Sequence, residues 1–325
     1  RNGVIKKYNG QYFRLHSRLF QYIDPTDVEN IFLEAKNNPD FTYNFGEYKN
    51  NSITVNDDAF VEVNNHDYQK IYYIYDQKYF KSIPGSPICY WLSKSFREIF
   101  RKFKPLGTLY DVKQGMTTSD NKRFLRYWHE VNIRKIGFNI SSREDAVISK
   151  KKWFLYNKGG DSRSWYGNNE YVVNWENDGE ELREFTSKLP QGSDVRLKSK
   201  EYYFREGITW SFISSKKFSA RYSSKGFIFD VAGSSLFPAK SELKYTLGYL
   251  CSKIVTECLK TLNPTLNYQI KDIKSLPMKF PDNDTKKNQI EKLTDENINI
   301  SKTDWDSFET SWDFKKHPLL AHKKE

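Results

Sequence analysis

The chain has 325 residues and carries 52 Lys and Arg against 41 Asp and Glu, a formal net charge of +11, with 38% hydrophobic and 16% aromatic residues. That aromatic load excludes a disordered chain, which would lack the bulky side chains that offset ordering entropy, and the length suits roughly two domains of about 150 residues. No run approaches the ~20 consecutive apolar residues of a membrane span, and Arg1-Asn2-Gly3 opens no signal-peptide core, so the expectation is a cytoplasmic protein.

In chain order, Asp24-Pro25-Thr26-Asp27 is an N-cap followed by proline, and Val28, Ile31, Phe32 and Ala35 continue at helical spacing until Asn37-Asn38-Pro39. Residues 53–80 alternate and are rich in Val, Ile and Tyr, which predicts two or three strands. A second helix is predicted to open at Ser86-Pro87, with Ile88, Trp91, Leu92, Ile99, Phe100 and Phe103 on one face and Arg97, Arg101, Lys102 and Lys104 toward its end, where cations suit the helix dipole. From about 107 to 238 short β segments are punctuated by Gly, Asn and Ser. A third helix is expected over 241–262, capped by Ser241, with Leu243, Leu247, Leu250, Ile254 and Cys258 along one side and a stop at Asn263-Pro264. A polar connector after Pro281, a weak helix near 286–300 and an aromatic end from Trp305 to Phe314 complete the chain. The elements together predict an α+β fold, mixed and largely antiparallel, with a few packed helices.

The charge is unevenly placed. Residues 1–84 hold 10 basic and 11 acidic residues, residues 281–325 hold 8 and 10, and residues 85–280 hold 34 and 20, a local net charge of +14. One segment therefore carries the whole excess and reads as a polyanion-binding module, a solubilising surface being the plainer alternative.

Catalytic patterns are missing. No GxGxxG, GxxxxGK[ST] or GxSxG occurs, and Lys158-Gly159-Gly160 lacks the second spaced glycine of a phosphate loop, so it reads as a turn. Asn38-Pro39-Asp40-Phe41 approaches the Asn-Pro-Pro-aromatic loop of amino-methyltransferases, but aspartate replaces the second proline; it and Asn263-Pro264-Thr265-Leu266 read as helix stops. The three cysteines, Cys89, Cys251 and Cys258, are odd in number and wrongly spaced for zinc, and the last two fall on an apolar helix face as small core residues. The five histidines (His16, His66, His129, His317, His322) form no i, i+4 pair, so no metal site is expected.

What remains is chemistry for binding. GMTTSDNKRFLRYW (115–128) puts hydroxyl and amide side chains beside Lys122, Arg123 and Arg126, a mix that can read base edges and hold phosphate. The segment 150–175 interleaves Lys150–Lys152, Lys158 and Arg163 with Trp153, Tyr156, Trp165 and Tyr166, which suits phosphate neutralisation with base stacking. Ser214-Ser215-Lys216-Lys217 with Arg221-Tyr222 has the same character. Each aromatic alone is as readily core or surface packing.

At these blocks the chain resembles a family. GMTTSDNKRFLRYWHEV (115–131), KKWFLYNKGG (151–160) with WYGNNEYVVNWENDGEELR (165–183), YYFREGITWSFISS (202–215), GFIFDVAGSSLFP (226–238), LNPTLNYQIKDIKSLP (262–277) and SKTDWDSFETSWDFKKHPLL (301–320) run in order. They resemble the carboxy-terminal part of PglX-type adenine-specific DNA methyltransferases of BREX phage-defence systems, with a looser likeness to type IIG restriction-modification enzymes and type I specificity subunits. The resemblance implies a DNA target-recognition domain, with the S-adenosylmethionine and Asn-Pro-Pro-aromatic motifs in a catalytic domain upstream. It suggests a fragment: 1–84 as the tail of the catalytic region or a linker subdomain, 85–280 as the recognition domain, and 281–325 as a connector to a further helical region.

On this reading the chain positions duplex DNA for adenine flipping by a catalytic domain outside it, and holds no cofactor itself; S-adenosylmethionine belongs to the parent enzyme. Residue chemistry assigns phosphate contacts to Lys113, Arg123, Lys151, Lys152, Lys158, Lys217 and Arg221. It assigns base readout to Gln114, Thr117, Thr118, Asn121, Arg163, Asn168, Asn267 and Gln269. The competing expectation is a protein-interaction domain that uses the same basic surface on an acidic defence partner or a DNA mimic.

Overall fold

The computed structural model describes residues 9–15, 24–45, 68–214, 217–263, 265 and 267–321. The strands expected within 53–67, together with His16, His66, Ser215, Lys216, Pro264, Leu266 and His322, lie outside the described residues. The chain divides into two units, Arg1–Lys102 and Phe103–Glu325.

The first unit contains β1 (Asn9–Phe13), α1 (Pro25–Asn37), β2 (Thr42–Asn44), β3 (Tyr68–Lys70), β4 (Tyr72–Asp76) and α2 (Lys94–Lys102). α1 starts where the sequence says: the Asp24 carboxylate accepts the Thr26 N–H at 2.9 Å, satisfying one of the donors that a helix start leaves open. Its buried Ile31 and Ala35 join Phe45 and Ile71 in a small core. β1 pairs antiparallel with β4, and β2 with β3.

α2 begins eight residues later than Ser86-Pro87 predicts. Ser86 has a φ of +48°, a left-handed conformation in which no helix of L-residues propagates. Ile88 faces solvent at 64% exposure, and the helix starts only where the Ser93 hydroxyl accepts the Phe96 N–H at 3.1 Å.

The second unit opens with β5 (Lys104–Pro105), β6 (Asp111–Lys113), α3 (Asn121–Phe124), β7 (Leu125–Tyr127), β8 (Ile136–Gly137), α4 (Arg143–Ile148) and β9 (Trp153–Asn157). It continues with β10 (Tyr171–Asn174), α5 (Glu176–Ser187), α6 (Gly192–Arg196), β11 (Gly207–Trp210), β12 (Ala220–Ser223), β13 (Phe227–Phe229) and β14 (Ser235–Phe237). It closes with α7 (Leu243–Leu250), α8 (Lys253–Leu262), α9 (Ile270–Lys274), β15 (Pro277–Met278) and α10 (Asp284–Trp305). One sheet runs β7–β10–β9, antiparallel throughout, and the free edge of β9 takes β8 along Trp153–Phe154 and β13 along Leu155–Asn157, both parallel. The other sheet, β12–β11–β14–β6, is entirely antiparallel. The class is α+β, mixed and largely antiparallel. Phe154, Tyr156, Val173, Trp175, Phe204, Ile228 and Phe229 meet in its main core.

The helix expected over 241–262 is two helices. Cys251 ends α7 and Ser252 is extended (φ −77°, ψ 156°), so the chain turns before α8 begins. α7 can then bury Leu243, Leu247 and Leu250 while α8 buries Val255, Cys258 and Leu259 on a separate axis. The weak helix near 286–300 is longer than expected, spanning 22 residues as α10, with the Asn283 side chain accepting the Lys286 N–H at its start.

Strand direction gathers several strand ends in one place. β14 is antiparallel to both β6 and β11, so those two run the same way. β13 runs with β9, and β7 does too, since both β7 and β9 are antiparallel to β10. Just beyond β6, Met116 bridges Asp230 in parallel, which aligns the two sheets. The carboxyl ends of β6, β7, β9, β11 and β13 therefore open onto one edge.

Burial pushes the Cys251 thiol up to about 11 and the Cys258 thiol up to about 12. A group whose folded pKa is raised contributes stability that is present below its unfolded pKa and lost as pH rises through the folded value. Thermal melts should therefore show Tm level to about pH 9 and falling above it. Both thiols should resist iodoacetamide at neutral pH and react once the protein is unfolded in guanidinium.

Candidate nucleic-acid interface

The edge where the strand ends gather is organised by the turn Asp230-Val231-Ala232-Gly233. Asp230 is 5% exposed. Its carboxylate accepts from the Tyr156 hydroxyl at 2.7 Å, the Lys158 ammonium at 2.6 Å and the Ala232 N–H at 2.7 Å. Burial, and then the neighbouring charge of Asp230, hold the Tyr156 hydroxyl well above its ordinary pKa. Two backbone approaches fix the joint: a Cβ at Gly233 would lie 2.2 Å from the Asn157 carbonyl oxygen, and one at Gly115 would lie 2.0 Å from that of Phe229. Only glycine fits at either place.

One group of predicted residues follows β6. Lys113 is held by Asp111 at 3.0 Å and lies over the Tyr202 ring, and its pKa is raised first by the hydrogen bond to Asp111. Gln114 accepts weakly from Lys198 at 3.4 Å. Thr117 is exposed, and its N–H donates to the Arg196 carbonyl at 2.8 Å. Thr118 is buried, its hydroxyl donating to the Asn121 side chain at 2.6 Å, which orients that amide. Asn121 and Lys122 are exposed at the start of α3, while Arg123 is engaged with Glu181 at 2.7 Å.

The second group lies in the loop between β9 and β10 and in its neighbours. Lys158 is paired with Asp230. Asn168 donates to the Gly159 carbonyl at 3.0 Å and the Asp161 carbonyl at 2.9 Å. Arg163 is turned onto α10, with Nη2 donating to Asp304 at 2.6 Å. Arg221 is 1% exposed. Its guanidinium donates to the Arg163 carbonyl and the Ser211 hydroxyl, each at 3.1 Å, and to the Gly159 carbonyl at 3.4 Å. Burial pulls it down to about 10. Arg221 thus ties three strands of loop from the interior. Lys217 is exposed beside Ser162, which donates to its carbonyl at 3.2 Å. Asn267 is half-buried and bridges Ile213 in the same neighbourhood.

Four predicted residues stand apart: Asn121 and Arg123, in α3 at the amino end of β7, and Lys151 and Lys152. Lys151 and Lys152 sit at the opposite end of β9, roughly 15 Å away at the rise of a strand. There Lys151 donates to the Arg134 carbonyl at 2.6 Å and Lys152 faces Glu176 at 3.5 Å. Gln269 is the N-cap of α9, its side chain and that of Asp272 closing a reciprocal capping box. Of the rings considered for stacking, Tyr156 is fully buried, Trp153 and Trp165 are partly buried, and Tyr166 is half-buried beneath Lys302.

The edge also holds residues that the motif reading passed over. Arg196 donates to the Ser119 hydroxyl at 2.8 Å and the Pro190 carbonyl at 3.0 Å, and Lys198 is exposed beside Gln114. The signal was the basic run Arg196-Leu197-Lys198-Ser199-Lys200, which carries no aromatic and matched no block. Tyr127, which falls within the 115–128 segment singled out in the sequence, is 39% exposed and stacks at 4.7 Å on Tyr171 and at 5.5 Å on His129. Among the described residues, no group of three or more His, Cys, Asp or Glu could hold a metal ion, and no helix is long and apolar enough to cross a membrane.

No protein-family model matches the chain. It is 40% identical, over 261 residues and 78% of its length, to the adenine-specific methyltransferase PglX of Lacticaseibacillus casei (strain Zhang), covering 21% of that protein. It is 39% identical, over 251 residues and 76% of its length, to the adenine-specific methyltransferase BrxX of Escherichia coli O9:H4 (strain HS), covering 19% of it. The chain spans about a fifth of the length of these curated relatives. The likeness to part of PglX-type adenine-specific methyltransferases, read from the sequence blocks, is borne out.

Replacing Asp230 by alanine should destabilise the protein by about 3 kcal/mol in urea unfolding, because Tyr156 and Lys158 lose a shared buried acceptor. Lys158→Met should cost less, about 2 kcal/mol, since the Tyr156 hydroxyl and the Ala232 N–H still donate to the carboxylate although its counter-charge is gone. Equal costs would show that the charge of Lys158, and not the carboxylate, fastens the joint.

Proposed function

We propose that this chain is the DNA-recognition part of an adenine-specific DNA methyltransferase. It would hold duplex DNA while a catalytic domain elsewhere in the protein extrudes the target adenine, a step that costs a few kcal/mol of unstacking. The observation that carries this reading is the gathering of five strand ends on one edge. The loops there present exposed Thr117, Lys198 and Lys217 within the segment of net charge +14, and exposed Asn121 and Lys122 lie in α3, which leads from the loop after β6 into the amino end of β7. Short polar side chains among lysines suit base readout over phosphate contact.

The buried members of the predicted set act differently on this reading. Arg221, Thr118 and Asn168 hold the loops in shape, and the exposed lysines meet phosphate. Lys151 and Lys152, at the other end of β9, serve only a duplex long enough to pass both ends of the sheet. On this reading S-adenosylmethionine belongs with the proposed catalytic domain. The turn at Gly159-Gly160 precedes no helix, and a Cβ at Gly159 would lie 2.5 Å from the Ala232 carbonyl oxygen, so that side is filled by backbone.

Binding to a labelled duplex, followed across a salt series, tests the proposal. Affinity should fall with a log–log slope of about −0.9 per phosphate contact, and Lys122→Ala and Lys217→Ala should each flatten that slope by about 1. No DNA affinity even at low salt would sink it and favour an acidic protein partner. The chain mixed with S-adenosylmethionine and duplex should transfer no methyl group, and measured transfer would place the catalytic site within these residues.

A further inference from the structure

The loop between β9 and β10 takes a path that the torsional preference of one of its residues, Trp165, opposes. Five of its residues have positive φ: Gly159, Gly160, Trp165, Gly167 and Asn168. Trp165, at +74°, meets the steric penalty that L-residues incur in that region. Anchors outside the loop hold it on two sides: β12 pairs with Trp165, whose N–H donates to the Ala220 carbonyl and whose carbonyl accepts from Tyr222, each at 2.8 Å, and the last turn of α10 holds the segment around Arg163.

Arg163 is the centre of the contacts with α10. Its Nε donates to the Tyr166 carbonyl at 2.9 Å, closing the loop on itself. Its Nη2 donates to Asp304 at 2.6 Å and to the Ser301 carbonyl at 3.2 Å, and the Trp305 ring centroid lies 5.2 Å from the guanidinium carbon. The Ser301 hydroxyl donates to the Ser164 carbonyl at 3.1 Å, and the Lys302 ammonium lies 5.2 Å from the Tyr166 ring. Gly167 leaves room for this arrangement, since a Cβ there would sit 2.4 Å from Arg163 Nε.

We propose that Asp304, acting through Arg163, is a positioning residue for DNA recognition: it sets the shape of the loop, and Arg163 is a strut and not a contact with the nucleic acid. This rests on the DNA-recognition reading. The two alternatives for Arg163 give opposite signs. Asp304 is 59% exposed in its side chain and repels phosphate, so if Arg163 gripped DNA, neutralising Asp304 would free the guanidinium and tighten binding. If Asp304 positions the loop, neutralising it weakens binding even though a negative charge has gone.

The test uses the full chain, a fluorescein-labelled duplex pool of random sequence and the variants Asp304→Asn, Arg163→Met, the double variant and Asp304→Glu. The expected result is that each of the first two weakens binding about tenfold, with the double variant no worse than either single, as for two residues acting through one element. Asp304→Glu should restore part of the loss, and Tm should change little, because a half-exposed ion pair contributes little to global stability. Tighter binding by Asp304→Asn, or losses that multiply in the double variant, would overturn the proposal. Should the parent chain bind no duplex, the DNA reading fails by itself. Hydrogen exchange of amides 160–168 then decides the loop: faster exchange in Asp304→Asn supports the positioning role, and unchanged exchange refutes it.

Discussion

A carboxylate removed from water is costly unless donors surround it, and the Asp230 carboxylate has three. They come from different places: Tyr156 from β9, Lys158 from the loop after that strand, and Ala232 from the turn leading into β14. β9 and β14 belong to different sheets. A single buried charge therefore ties β9 and the root of the loop that follows it to the turn that carries the chain from β13 into the other sheet.

Charge in this domain does two kinds of work. Lys158, Arg163, Arg196 and Arg221 direct their donors inward, to Asp230, to Asp304 or to backbone carbonyls and hydroxyls. Arginine suits this because its planar fork can serve several acceptors at once, as Arg221 does with three. Lys122, Lys198 and Lys217 stand at the surface. A net charge counted along the chain cannot separate these populations, so the local excess overstates what any polyanion could meet and understates how much the loops depend on cations for their form.

The same distinction explains what could be read from the amino-acid order alone. α1 was legible to its ends because Asp24-Pro25 and Asn38 act locally. The class of fold was legible from short strands broken by glycine and asparagine. The start of α2 and the break between α7 and α8 were not, since an apolar stripe shows which residues seek a core but not whether one helix axis serves them all. Among the candidate contacts, Thr117, Asn121 and Lys217 reach the surface, whereas Arg221 and Arg163 turn inward toward partners 10 and 141 positions away in sequence. Residue type predicts what a side chain can bond. Which acceptor is nearest is a property of tertiary structure.

The close backbone approaches at Gly115 and Gly233 bear on which changes the domain can absorb. At those two positions not even one carbon can be added without moving backbone. The loops rooted beside them obey a different rule, because closing a longer loop costs only slightly more entropy. A residue inserted in one of those loops should therefore cost little stability, whereas a methyl group added at Gly115 or Gly233 would force the backbones of the joint apart.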